Sequence, residues 1–169
     1  MIENIYKQLD DIQYGYILDG KDISDDQYTF GSNYKLLSPD ELLNIKYGVC
    51  WDQVELERKL LNDNNIKNES YFIYLNDHDG LPSHTFIVIY DNNKYIWLEH
   101  AWYDYKGMHG YNSLDELLED VINKFIDSHK DIKYEELLLY KYNKPEYNKS
   151  CEEFYNYIET QELIIERKY

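Results

Sequence analysis

The chain has 169 residues, 43% of them hydrophobic and 17% aromatic, which is enough to bury a core without disulfide or metal staples. Seventeen Lys and Arg stand against 33 Asp and Glu, a formal net charge of −16. A surface so acidic repels phosphate backbones and anionic lipid, and no basic cluster relieves it, which argues against a nucleic-acid or membrane-surface role.

In chain order, residues 2–12 set Ile2, Ile5, Tyr6, Leu9 and Ile12 at helical spacing. The same opening segment, MIENIYKQLDD, has no basic region and no continuous apolar run, so it does not resemble a secretory signal. No later run reaches the length of a membrane span. With two cysteines, Cys50 and Cys151, and no disulfide framework, the expected setting is cytoplasmic, with both thiols reduced.

From 13 to 37 no period holds, and DGKDISDDQ and FGSN are loop signals. SPDELL then opens a short helix, with Ser38 as N-cap, Pro39 at the first helical position and Glu41 completing a capping box. Tyr47-Gly48 breaks it, and a second helix is expected over about 50–62. Its Val54, Leu56, Leu60 and Leu61 form an apolar side, with Glu55, Glu57, Arg58 and Lys59 expected mostly outward.

Strands are expected over 70–75, 84–90 and 95–102, the last two joined by the hairpin turn Asp91-Asn92-Asn93-Lys94. YDYKGMHGYN (103–112) reads as a loop, 114–129 as a helix, 135–142 as a strand, and the chain from Ser150 as a last helix. No linker or change of composition divides the sequence. The expectation is one α+β domain over 1–169, its core at about 38–142.

Three residues bear on chemistry. Cys50 stands at a helix N-terminus, where free backbone N–H groups and the helix dipole favour a thiolate. His84 opens the most apolar strand, SHTFIVIY, beside the loop NDHDGLPS. Glu99 lies in the partner strand, where an unpaired carboxylate would be expensive to bury. If Asn92-Asn93 is a two-residue type I′ turn, Tyr90 pairs with Tyr95. His84 and Glu99 then share a face, and His100 points to the other. A three-residue loop would bring His100 round instead. A nucleophile on a helix start, a base on one strand and an acid on the next make a triad scheme.

GVCWD (48–52), HTFIVIY (84–90) and WLEHAW (97–102) together resemble the three motifs of the transglutaminase-like superfamily, over roughly residues 38–112. The resemblance implies a papain-type fold, a Cys-bearing helix packed on an antiparallel sheet. It also implies Cys50 as nucleophile, His84 as general base and acid, and Glu99 as the third member. Here the sequence departs from the family, which usually carries Asp followed by Pro at that place. HAW (100–102) also mimics the family's histidine motif, so His100 stays open as an alternative, and His109 as a residue of the site's rim.

The Cys50 N–H is the natural oxyanion donor, and Asn44, six residues upstream, is the side-chain candidate. Trp51, Trp102 and Tyr103 are candidates for a substrate groove. The expected reaction is acyl transfer from a protein or peptide amide, hydrolytic rather than cross-linking, with no cofactor. A catalytically inactive binding or scaffold module on the same fold is the alternative. A metal site from His84, His100, His109 and Glu99 or Asp104 is not expected, because strand alternation separates Glu99 from His100 and no metal-binding spacing occurs.

Overall fold

The structure, a computed structural model, describes residues 1–77 and 81–169. Helix α1 (Ile2–Lys7) is followed by three two-residue strands, β1 (Gln13–Tyr14), β2 (Ile17–Leu18) and β3 (Lys21–Asp22), and by α2 (Gln27–Asn33). Next come α3 (Pro39–Ile45), β4 (Tyr47–Gly48) and α4 (Cys50–Asp63). The main strands β5 (Asn68–Asn76), β6 (Ser83–Asp91), β7 (Lys94–Glu99) and β8 (Gly107–Tyr111) lead into α5 (Leu114–Ser128), β9 (Glu136–Tyr142), α6 (Cys151–Glu159) and β10 (Glu162–Lys168). The result is α+β: a Cys-bearing helix on an antiparallel sheet whose strand order is β10-β9-β5-β6-β7-β8.

Local chemistry sets the pieces that surround Cys50. Ser38 Oγ accepts the Glu41 N–H, and the Glu41 carboxylate accepts the Ser38 N–H, so the capping box forms as its letters require. The helix stops at Lys46, which takes a left-handed φ of 68°. That is where the chain breaks. Gly48 serves another purpose: a Cβ there would lie 2.6 Å from Leu42 Cδ1 and 3.0 Å from Asp52 Cβ, so only glycine lets α3 and α4 approach this closely.

Alternation along the strands sorts two cores. Tyr71, Ile73, Phe86, Val88 and Trp97 pack with Leu117, Val121 and Phe125 of α5 on one face of the sheet. On the other, Ile87, Ile89 and Leu98 meet Ile5 and Leu61, while Phe72 and Tyr140 join Trp51, Phe154 and Ile158. Strand β6 is buried from His84 to Ile89, as a run without alternation implies.

Three expectations are corrected. Glu55, Glu57 and Arg58 are buried rather than outward, because α4 is enclosed by the sheet, α1 and α3. The Arg58 guanidinium donates to both oxygens of Glu55, so neither charge is buried alone. The presumed loop contains β8, paired with β7. The presumed terminal helix ends at Glu159, and the chain returns as β10 along β9. Among the described residues no helix is long and apolar enough to cross a membrane.

Candidate active site

The hairpin decides which residues meet. Asn92 and Asn93 both have positive φ, 49° and 61°, and Tyr90 pairs with Tyr95 and Asp91 with Lys94, the register of a two-residue type I′ turn. Continued up the ladder, that register sets Glu99 on the same face as His84. The two side chains meet: His84 Nε2–H donates to Glu99 Oε2 at 2.7 Å. Glu99 is held from two further sides. Trp97 Nε1–H donates to Oε2 at 3.1 Å and the Trp102 N–H to Oε1 at 2.8 Å. A carboxylate with three donors is a buried charge that is paired and hydrogen-bonded. The Tyr6 hydroxyl from α1 donates to the Glu99 carbonyl at 2.7 Å and ties down the end of β7.

Cys50 begins α4, 6% exposed, and a hydrogen bond links it to His84. Since Nε2 is engaged by Glu99, Nδ1 is the ring nitrogen left to the sulfur. Burial alone would lower the His84 pKa. The Glu99 carboxylate and then the Cys50 contact override it, and it is pushed up to about 10. Cys50, His84 and Glu99 are therefore brought together in the order thiol, imidazole, carboxylate. The middle of the loop beside His84, residues 78–80, lies outside the described residues.

The other expected residues divide. His100 faces away from these three, as the register requires; its Nδ1 meets Gln53 Oε1 at 2.6 Å. Burial, helped by Lys106, lowers its pKa to about 4, so its ring is neutral. His109 Nε2–H donates to the Tyr105 carbonyl and its ring lies on Trp97, so it belongs to β8 rather than to the rim. Trp51 is corrected to core: 5% exposed, it stacks on Phe154 with centroids 4.6 Å apart and meets Tyr34 and Tyr155 edge-on. Trp102 meets His84 edge-on, with ring centroids 5.0 Å apart. Tyr103 is 82% exposed in a short 3-10 turn beyond it.

Asn44 stands exposed on α3, and no hydrogen bond among the described residues links it to Cys50. Among the described residues no three His, Cys, Asp or Glu side chains converge to hold a metal. A cavity of about 290 Å³ lies farther along α4, lined by Arg58, Lys59, Lys144 and Tyr147, and includes none of Cys50, His84 and Glu99.

Two contributors, Tyr14 and Tyr155, gave no signal in the sequence, and a third, Asp52, stands two residues from Cys50. Tyr14 lies on β1, which runs parallel to β4 and pairs Tyr14 with Gly48. Its side chain is about half exposed. Burial, then the charges of Cys50 and Asp52, raise its pKa above the usual tyrosine value. Segment 13–37 has no periodicity, so nothing in it announced this strand. Tyr155 of α6 donates to the Leu81 carbonyl at 2.8 Å, pinning the approach to β6. Asp52, fully buried, accepts from Tyr34 Oη and the Leu37 N–H on one oxygen and from the Val49 N–H on the other. Burial outweighs these bonds and pushes its pKa up to about 7.

A comparison with curated proteins finds no match. A family model described as Transglutaminase-like domain matches residues 1–107, starting earlier than the motif-bearing stretch and including all three residues of the Cys50–His84–Glu99 cluster. By that match over more than half its length, the chain belongs to the transglutaminase-like family.

Proposed function

We propose that the protein is a cysteine-dependent acyl-transfer enzyme acting on a protein or peptide amide, with Cys50, His84 and Glu99 as its triad. The observation that carries this reading is the 2.7 Å His84–Glu99 hydrogen bond with Cys50 on the remaining ring nitrogen. In the reactive form the Cys50 proton sits on His84, whose raised pKa favours the imidazolium, and the thiolate sulfur attacks the amide carbon. The carbonyl oxygen takes the negative charge beside the Cys50 N–H. The imidazolium then protonates the leaving amine, the C–N bond breaks and a thioester remains. Water, deprotonated by His84, attacks the thioester, releasing a carboxylic acid and restoring the thiol. Glu99 holds the ring in the tautomer that each transfer needs and stabilises its charged form. Hydrolysis is the preferred outcome over cross-linking, because water needs no acceptor site. Trp102 lies where it would wall the substrate. An acidic surface and free thiols suit a reducing, cytoplasmic setting.

The test is capture of Cys50 by dilute iodoacetamide near neutral pH, located by mass spectrometry. Cys151 is an internal control: burial, with the charge of Asp52, pushes its pKa up to about 11, so it reacts slowly. Cys50→Ala should abolish capture and amide turnover while the fold survives. Ammonia release from a glutamine peptide, measured with and without a primary amine, separates hydrolysis from cross-linking. An inert Cys50 in the native protein would overturn the reading.

A further inference from the structure

His100, excluded from the triad by the register of β7, is bonded to the turn that carries the nucleophile. Gln53 Nε2–H donates to the Gly48 carbonyl at 2.9 Å, so the other end of this amide, Oε1, is the acceptor that faces His100. His100 must therefore carry its proton on Nδ1 and donate it to Gln53. Both side chains are almost wholly buried, at 3% and 1% exposure.

The Gly48 carbonyl and the Val49 N–H belong to one peptide plane. Gln53 grips the carbonyl, and Asp52 Oδ2 accepts the N–H at 2.9 Å. The plane is thus clamped on both edges by side chains from the first turn of α4. The next peptide plane in the chain carries the Cys50 N–H. Gly48 also has no room for a Cβ, so the backbone here is fixed by packing as well.

We propose that His100 and Gln53 are positioning residues: through the clamped 48–49 peptide they aim the Cys50 N–H at the oxyanion. The inference rests on the acyl-transfer reading, since only a reaction that builds an oxyanion would use that N–H. It predicts a split between two reagents. An ester such as p-nitrophenyl acetate forms a tetrahedral oxyanion on Cys50; iodoacetamide is displaced at a saturated carbon and forms none.

In His100→Gln the side-chain nitrogen falls where Nε2 stood and cannot reach Gln53 Oε1. In His100→Asn it falls where Nδ1 stood and can. Losing an oxyanion donor lowers rates by about 100- to 1000-fold. The expected result is a fall in Cys50 acylation by the ester of at least about tenfold in His100→Gln, from a misaimed donor, with most of the rate restored in His100→Asn. Iodoacetamide capture should stay within about twofold in both, which also shows that the fold is intact. If His100→Gln does not fold, Gln53→Met, which removes both bonds at similar volume, carries the same expectation. Equal ester rates in the two His100 variants, or parallel losses with both reagents, would overturn the positioning role while leaving the triad standing. Failure of the unaltered protein to react with either reagent would overturn the acyl-transfer reading and the inference together.

Discussion

Replacing Glu99 by Gln keeps the shape of the side chain and removes its charge, and the structure says what each loss should do. Glu99 accepts three buried N–H groups, from His84, Trp97 and Trp102. An amide offers one oxygen. With that oxygen at the Oε2 place, the NH₂ confronts the Trp102 N–H; turned over, it confronts the other two. At least one buried donor loses its acceptor, a penalty of about 1–3 kcal/mol. The charge adds a part that depends on pH. The folded-state pKa of His84 is about 10 against an ordinary 6.5, so its stabilisation is complete below 6.5 and is lost as pH rises through 10. Without the carboxylate, burial prevails, His84 becomes neutral, and that stabilisation is gone. The variant should therefore be less stable by about 3–5 kcal/mol at pH 6, the usual result of breaking a buried pair. Toward pH 10 the deficit should narrow to the hydrogen-bond part. Urea unfolding of both proteins at pH 6, 8 and 10, followed by tryptophan fluorescence at fixed ionic strength, measures this directly. A deficit that stays constant from pH 6 to 10 would refute the charged His84–Glu99 pair.

Two further substitutions probe buried carboxyls. Asp52, with a folded-state pKa of about 7 against 3.8, adds stability below pH 3.8 that is lost as pH rises through 7. Asp52→Asn is neutral throughout and loses one acceptor, so its deficit of about 1–3 kcal/mol at pH 4 should shrink by pH 8 in the same urea assay; a deficit that grows with pH would contradict the account. Glu57 is 3% exposed, its Oε2 has no hydrogen-bond partner among the described residues, and burial, then the charge of Glu99, raises its pKa well above the carboxylate range. Glu57→Met should leave stability unchanged or raise it by about 1–3 kcal/mol at pH 8, because an unpartnered polar atom is removed. A large loss would show that Glu57 is a paired charge.

How far the sequence could be read follows from which forces are local. The Asn92-Asn93 turn fixes its own backbone, and alternation carries that register seven residues to Glu99, so the sequence alone implies the His84–Glu99 encounter. The Ser38 capping box is equally local. The charged residues of α4 were not: helical periodicity takes charge as a mark of solvent, and it cannot foresee Arg58 clasping Glu55 inside the fold. Strand β10, ELIIERK, is rich in helix formers, and β8, GMHGY, holds two glycines. Each is a strand because a neighbour's free edge offers hydrogen bonds, a tertiary cause that outweighs propensity. The positions of Tyr14 and His100 relative to Cys50 arise from pairings across 34 and 47 residues, β1 with β4 and His100 with Gln53, which no short window contains.

The order of the strands has a consequence for the time at which the site comes into being. Cys50, His84 and Glu99 are all made before residue 107, yet β5 needs β9 beside it, and Trp51, next to Cys50, stacks on Phe154 of α6. At translation rates of about 5–20 residues per second, the roughly fifty residues up to Ile158 take roughly 3–10 s. During that interval the thiol, the imidazole and the carboxylate exist without the wall that holds them in place. The three side chains are thus held in their final arrangement only once α6, made last but one of the elements, has packed against Trp51.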